Sequence, residues 1–278
     1  MLSKLMVEEI IRNALKEDMN YGDITTDTLI GEESISVARM TAKEDGVIAG
    51  LAVAEMTFKI LDQSISFIPL KKDGDMVKKG EHMAEIKGST RGILKGERLA
   101  LNLIQRMSGI ATMAKAYADG VAGYPTRIVD TRKTTPGLRI LEKYAIRMGG
   151  CHNHRFNLSD AVMIKDNHIK AVGSITKAIE ITRQNIPHTM KIEVEVESLA
   201  QLQEALEAKA DIIMLDNMDT ANMKKAVEIT AGRAILEASG NITKERLREI
   251  AEIGIDVISV GALTHSVRAM DISLNIVK

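Results

Sequence analysis

The chain contains no tryptophan, and aromatic residues make up only 3% of its 278 positions. Binders of single-stranded nucleic acid stack bases on aromatic side chains, so that class is excluded. The single cysteine, Cys151, cannot form an internal disulfide, which fits a reducing cytoplasm. No apolar run is long enough to span a bilayer, so no membrane association is expected. The N-terminal stretch MLSKLMVEEIIRNALKEDM carries charges throughout. It reads as an amphipathic helix with Leu5, Ile10, Ile11, Ala14 and Leu15 on or near one face, and not as a signal peptide. Charge of one sign is also lacking: 37 Lys and Arg against 38 Asp and Glu give a net charge of −1. A nucleic-acid domain would be basic overall. What is present is 45% hydrophobic content, enough for one large core or two modest ones.

Two textures follow one another. Up to about Leu94, strands are expected at Val37–Ala42, Gly46–Ala49, Ile65–Leu70 and Met83–Lys87, broken by turns such as Asp73-Gly74-Asp75. A long helical pattern then runs from Glu97 to about Val121. From Thr126 onward, apolar strands alternate with amphipathic helices. The strands are Thr126–Asp130, Ala161–Lys165, Lys191–Val196, Asp211–Leu215, Ala234–Glu237 and Val257–Val260. Repeated βα units favour a barrel or a doubly wound sheet, and no Gly-rich dinucleotide fingerprint follows the first strand. Each strand ends in polar or glycine residues, which a βα barrel would bring together at its mouth. The expected fold is therefore α/β. An N-terminal α+β sandwich-like domain spans residues 1–112, with the start of the long helix, and an irregular βα barrel spans 113–278.

The most informative stretch is Asp130 to His168, which gathers Arg132, Lys133, Arg139, Lys143, Arg147, His154, Arg155 and Lys165. A local basic excess in a neutral chain suggests a site for a small polyanion. Arg132 and Lys133 follow one apolar run and Lys165 ends another, so two strand ends deliver cations to one place. Arg139, Lys143 and Arg147 recur every fourth residue on the helix near Pro136. Arg139 lies nearest the helix start, within reach of the site, while Lys143 and Arg147 suit an outer face or a subunit contact equally well. His152 and His154 lack further ligands at zinc spacing. On the acidic side, strand alternation sends Glu193 and Glu195 to the face opposite Ile192, Val194 and Val196. Two such carboxylates call for cationic partners or a metal. Ser239-Gly240-Asn241 and Gly261-Ala262 each follow a strand and precede helical sequence, an arrangement that suits phosphate.

This segment closely resembles the quinolinate phosphoribosyltransferase family, also called nicotinate-nucleotide pyrophosphorylase (carboxylating). Further matching blocks are GDITTD at 22–27, DGDMVKKGEHMAEIKG at 73–88 and ERLALNLIQRMSGIAT at 97–112. IEVEVES at 192–198, LDN at 215–217, EASGN at 237–241 and SVGALTHS at 259–266 complete a series that covers nearly the full chain. The resemblance implies an open barrel packed on a sandwich-like domain. It implies that quinolinate and phosphoribosyl pyrophosphate are the substrates, with nicotinate mononucleotide, pyrophosphate and CO2 as products. Arg132, Arg155 and Lys165 occupy positions where the family binds substrate anions, with Thr131, Lys133 and His154 beside them. His154 is expected to donate a hydrogen bond to substrate, and His152 to be structural. Glu195 matches the family's ribose-side glutamate, and Glu193 reads as a deeper salt-bridge partner. Asp216 suits ribose hydroxyls or magnesium pyrophosphate. Mg2+ would ride mainly on substrate phosphates, with Glu195 and Asp216 as candidate ligands. Lys133, Lys165, Glu195 and Asp216 are the expected catalytic set. Ser239, Gly240, Asn241 and Gly261 are expected to bind phosphate. His265 stands near the family's phosphate region, although packing explains it equally well.

Arg98 has two readings. Composition favours a local salt bridge, with Glu97 for example. The resemblance implies instead that it reaches into the quinolinate pocket of a partner subunit, making a homodimer, or a larger assembly of dimers, the active form. The rival substrates are nicotinate or another aromatic acid. A Schiff-base lyase using Lys165 and an anionic-metabolite sensor are more distant rivals, and no effector or DNA-binding module supports the sensor.

Overall fold

The structure, a computed structural model, describes residues 2–277. The chain opens with α1 (Lys4–Asp18), α2 (Ile24–Leu29), β1 (Ile35–Ala42), β2 (Gly46–Val47) and α3 (Leu51–Leu61). There follow β3 (Ser66–Pro69), β4 (Met76–Val77), β5 (His82–Ser89), α4 (Thr90–Gly120), β6 (Arg127–Val129) and α5 (Arg139–Met148). Next come β7 (Val162–Ile164), α6 (Asp166–Val172), α7 (Ile175–Asn185), β8 (Ile192–Val196), α8 (Leu199–Glu207) and β9 (Ile212–Asp216). The last elements are α9 (Thr220–Thr230), β10 (Ile235–Ser239), α10 (Leu247–Glu252), β11 (Val257–Ser259), α11 (Ala262–His265) and β12 (Ile272–Ile276). They form two compact units. One comprises Met1–Ala116, Thr134–Gly150 and Ala262–Lys278, and the other Tyr117–Lys133 and Cys151–Gly261. The division is thus discontinuous, where the sequence pointed to a single cut after residue 112.

The first unit is built on an antiparallel sheet in the order β12-β1-β5-β3, with β2 and β4 as a separate pair. Alternation in β1 puts Ala38, Met40 and Ala42 on the buried face. They join Phe58 of α3, Met83 and Ile86 of β5, and Ile93 and Ile104 of α4 in one core. In α1 the buried stripe is Val7, Ile11 and Leu15, while Leu5 is exposed, so the apolar face is rotated from the one expected. α5 brings another correction. Lys143 is fully buried, Arg147 is exposed, and the cationic stripe therefore does not form one outer face. Beside Lys143, buried Glu142 accepts from Arg106 of α4, with Nη2 at 2.5 Å from Oε1.

The second unit carries a six-stranded parallel sheet in the order β6-β11-β10-β9-β8-β7. On one face of each strand, positions such as Val194, Leu215, Leu236 and Ile258 are buried. The alternate positions face the other side, and these include Glu193, Glu195, Asp216, Glu237 and Ser259. The sheet ends in two different strands and does not close: it is an open barrel. On its β6 edge, His152 adds a single bridge to Val129. Ser174, Ser198 and Asp219 cap α7, α8 and α9 by accepting an N–H from the first turn, which fixes where each βα loop ends.

Candidate active site

Three of the expected groups meet at the carboxyl ends of β7, β8 and β9. Lys165, the residue after β7, places Nζ 2.5 Å from Oε2 of Glu195 on β8. Glu195 is level with Met214 of β9, so Asp216 stands one same-facing position further along. Its Oδ2 accepts from the Asn217 side chain at 2.7 Å. Asn217 Oδ1 in turn accepts from Asn241 Nδ2 at 3.1 Å, tying the turn after β9 to the turn after β10. Both asparagines have positive φ, 54° and 51°, and Gly240, beside Asn241 in the turn after β10, has φ 83°. Gly240 approaches Asn217 so closely that a side chain there would collide with its amide. Ser239 ends β10 beside Asp216, with which it is in register. Asn217 was missed in the sequence; the LDN block was its signal.

The second group gathers at β6. Asp130 is fully buried: Oδ1 accepts from the His154 backbone N–H at 2.9 Å and Oδ2 from Asn153 Nδ2 at 2.7 Å. This fixes the segment carrying Arg155, whose Nη1 donates to the Ala161 carbonyl at 3.0 Å. Arg155 is half-buried. Burial and then the neighbouring Arg132 lower its pKa, partly offset by Glu193 and Asp160. The charge of Arg132 therefore acts on Arg155. Arg132 and Lys133 are exposed in the loop after β6, where Lys133 N–H donates to Thr131 Oγ1 at 3.1 Å.

Beneath these cations, His154 Nε2 lies 3.2 Å from Glu193 Oε2 and 3.5 Å from Glu237 Oε2. Glu193 is thus the deeper ion-pair partner that the sequence suggests, and Glu237, the end of an expected strand, joins it at the ring. Burial opposes a charge on the ring, whereas hydrogen bonds to Glu193 and Glu237 raise its pKa. Glu193 is itself raised, chiefly by burial. Geometry bears on where the protons sit: Nδ1 accepts the Arg155 backbone N–H at 2.7 Å, so a proton on Nδ1 would require that contact to open. That contact assigns the ring proton to Nε2, which faces the two carboxylates. Both ring nitrogens are engaged within the chain, an arrangement unlike the expected donor to substrate.

Gly261 follows β11. The remaining expected residues lie in the first unit: Arg98 is exposed on α4, His265 is exposed at the end of α11, and Arg139 donates through Nε to Thr134 Oγ1 at 3.0 Å. Cys151 is buried, and burial raises its pKa to about 12, which suits packing and not nucleophilic attack.

The N-terminal domain model of quinolinate phosphoribosyl transferase matches residues 23–108, and the C-terminal domain model matches 110–275. The chain belongs to the quinolinate phosphoribosyltransferase family. A relative from Synechocystis, a probable nicotinate-nucleotide pyrophosphorylase [carboxylating], is 48% identical over 99% of this chain and 94% of its own. One of the same description from Bacillus subtilis is 46% identical over 99% and 95%. The crystal structure of NadC from Streptococcus pyogenes superposes with a TM-score of 0.96 at 43% identity, covering 100% of this chain and 99% of that one. In this family member the matching blocks from residue 130 onward fall at the ends of β6 to β11, with the cations and carboxylates described above.

Proposed function

We infer that the chain transfers phosphoribose from phosphoribosyl pyrophosphate to the ring nitrogen of quinolinate, giving nicotinate mononucleotide, pyrophosphate and CO2. The observation that carries this reading is the juxtaposition at the strand ends. Arg132, Lys133, Arg155 and Lys165 offer cations to a dicarboxylate, beside carboxylates at Glu195 and Asp216 that suit a ribose centre.

In this reading the C1–O bond to pyrophosphate breaks as the quinolinate nitrogen bonds C1, and positive charge grows on the ribose. Glu195 and Asp216 stabilise that charge, while the cations orient the two substrates. The nitrogen, now a pyridinium, accepts the electron pair as the 2-carboxylate leaves as CO2, and C2 then takes up a proton. Lys165 is drawn between Glu195 and the substrate carboxylate, so its ion pair exchanges one anion for another. Positioning and electrostatics suffice, with no covalent intermediate.

Glu195 and Asp216 offer the hard oxygen donors that Mg2+ takes, and both are partly accessible at the strand ends. Mg2+ bound there with pyrophosphate would supply neutralising charge to the leaving group. Ser239, Gly240, Asn241 and Gly261 present turns suited to the phosphate, and His265 is kept as a candidate there. We propose a homodimer in which Arg98 serves the partner's site, and place the enzyme in the cytoplasm. The single buried cysteine supports that location, and among the described residues no helix is long and apolar enough to cross a membrane. The test is turnover of purified protein with Mg2+ and phosphoribosyl pyrophosphate. Quinolinate should react, and nicotinate, lacking the second carboxylate, far more slowly. Equal or better turnover of nicotinate would overturn the assignment.

A further inference from the structure

Glu193 and Glu237 are 3% exposed, and in each, Oε1 has no hydrogen-bond partner while Oε2 faces His154. They stand on β8 and β10, with β9 between them, so the sheet brings them together over an intervening strand. Such a pair is a poor device for stability. Desolvating two carboxylates against one ring costs more than the contacts return, and apolar side chains of similar volume commonly do as well or better. The geometry serves placement instead. Nε2–H points at the carboxylates, Nδ1 receives the Arg155 N–H, and Asp130 holds the His154 N–H.

We propose that Glu193 and Glu237 are positioning residues that fix the tautomer and ring plane of His154 from beneath and thereby hold the backbone that presents Arg155. The proposal rests on the reading of Arg155 as an anion binder. By ligand type alone the three groups suit a divalent cation, since their donor atoms lie within 4.8 Å of one another. Metal on Nε2 would require the ring to shed its remaining proton while Nδ1 still accepted an N–H, so the hydrogen-bonded reading is favoured.

The test uses the full-length protein and two double variants. Glu193→Met/Glu237→Met removes both acceptors, whereas Glu193→Gln/Glu237→Gln keeps a carbonyl acceptor at each position. Ring 15N shifts of His154, assigned with His154→Gln, should show a protonated Nε2 and bare Nδ1 in the wild type and in the Gln pair. The Met pair should lose that pattern, raise the quinolinate KM on the order of tenfold and alter kcat by less than about threefold, the loss expected for one hydrogen bond to a charged group. Thermal stability of the Met pair should be equal to or above that of the wild type. If the Met pair does not fold, Glu237→Met alone should give a smaller shift in the same direction. An unchanged ring pattern in the Met variants, a changed pattern with unchanged KM, or an equal loss in the Gln pair would each overturn the proposal. So would loss of the Nε2 proton signal on adding zinc chloride. Quinolinate turnover by the wild type is the separate control on the functional reading, which the ring spectra do not need.

Discussion

Lys165, the residue after β7, and Glu195 on the neighbouring β8 have Nζ and Oε2 2.5 Å apart, so each is the other's counter-ion. Removing either leaves the other charge without its partner. Glu195→Gln and Asp216→Asn should each lower kcat on the order of a hundredfold with much smaller changes in KM, because their charge matters most as the ribose becomes cationic. Steady-state kinetics on both substrates check this, and unchanged kcat in both variants would remove these residues from the mechanism. Lys165→Met should instead raise the quinolinate KM.

The turn after β10 predicts a phosphate effect with a steric origin. At Gly240, φ is 83° and the nearest Asn217 atoms leave no room for a methyl group. Gly240→Ala should cost roughly 1–3 kcal/mol of stability and weaken phosphoribosyl pyrophosphate binding. Denaturant unfolding together with KM for that substrate reads both, and wild-type values in each would show that the bracket of Asn217, Gly240 and Asn241 plays no part.

Burial sets the behaviour of Cys151. Its folded pKa, raised to about 12, lies above the ordinary thiol value, so any stability it contributes is fully present below about 8.5 and is lost as pH rises towards 12. Native protein at pH 8 should therefore resist iodoacetamide, with full reaction after unfolding, as read by intact mass. Rapid alkylation with loss of turnover in the native state would contradict a packing role.

Much of this was legible in the sequence. The alternation from Thr126 to Val260 gave all six parallel strands because each is a short apolar run followed by polar residues, and burial on the helix side demands that pattern. Four features were hidden. β12 pairs with β1 from the far end of the chain, with Leu274 opposite Met40, a contact no local pattern announces. α3 is absent from the sequence reading, although Leu51, Ala54 and Phe58 recur at helical spacing on its buried side. Lys143 recurs with Arg139 and Arg147 at helical spacing, but periodicity does not say which side of a helix meets the core. Glu237 ends its expected strand, and only the sheet order brings it to Glu193 and His154.

The proposed dimer makes a prediction of its own. Arg98→Ala and Lys133→Ala should each be nearly inactive, whereas mixed heterodimers should recover up to about half of wild-type activity, since one of two sites receives both intact groups. Demonstrated subunit exchange with no recovery would mean that Arg98 does not act across an interface.

The central claim is that one site couples phosphoribosyl transfer to loss of the 2-carboxylate. It is tested most directly with quinolinate labelled at that carboxyl carbon, following labelled CO2 and pyrophosphate together in single reactions containing phosphoribosyl pyrophosphate and Mg2+. The account predicts equal amounts of the two products, both abolished in the absence of phosphoribosyl pyrophosphate. Pyrophosphate release without labelled CO2, or CO2 release without phosphoribosyl pyrophosphate, would contradict it.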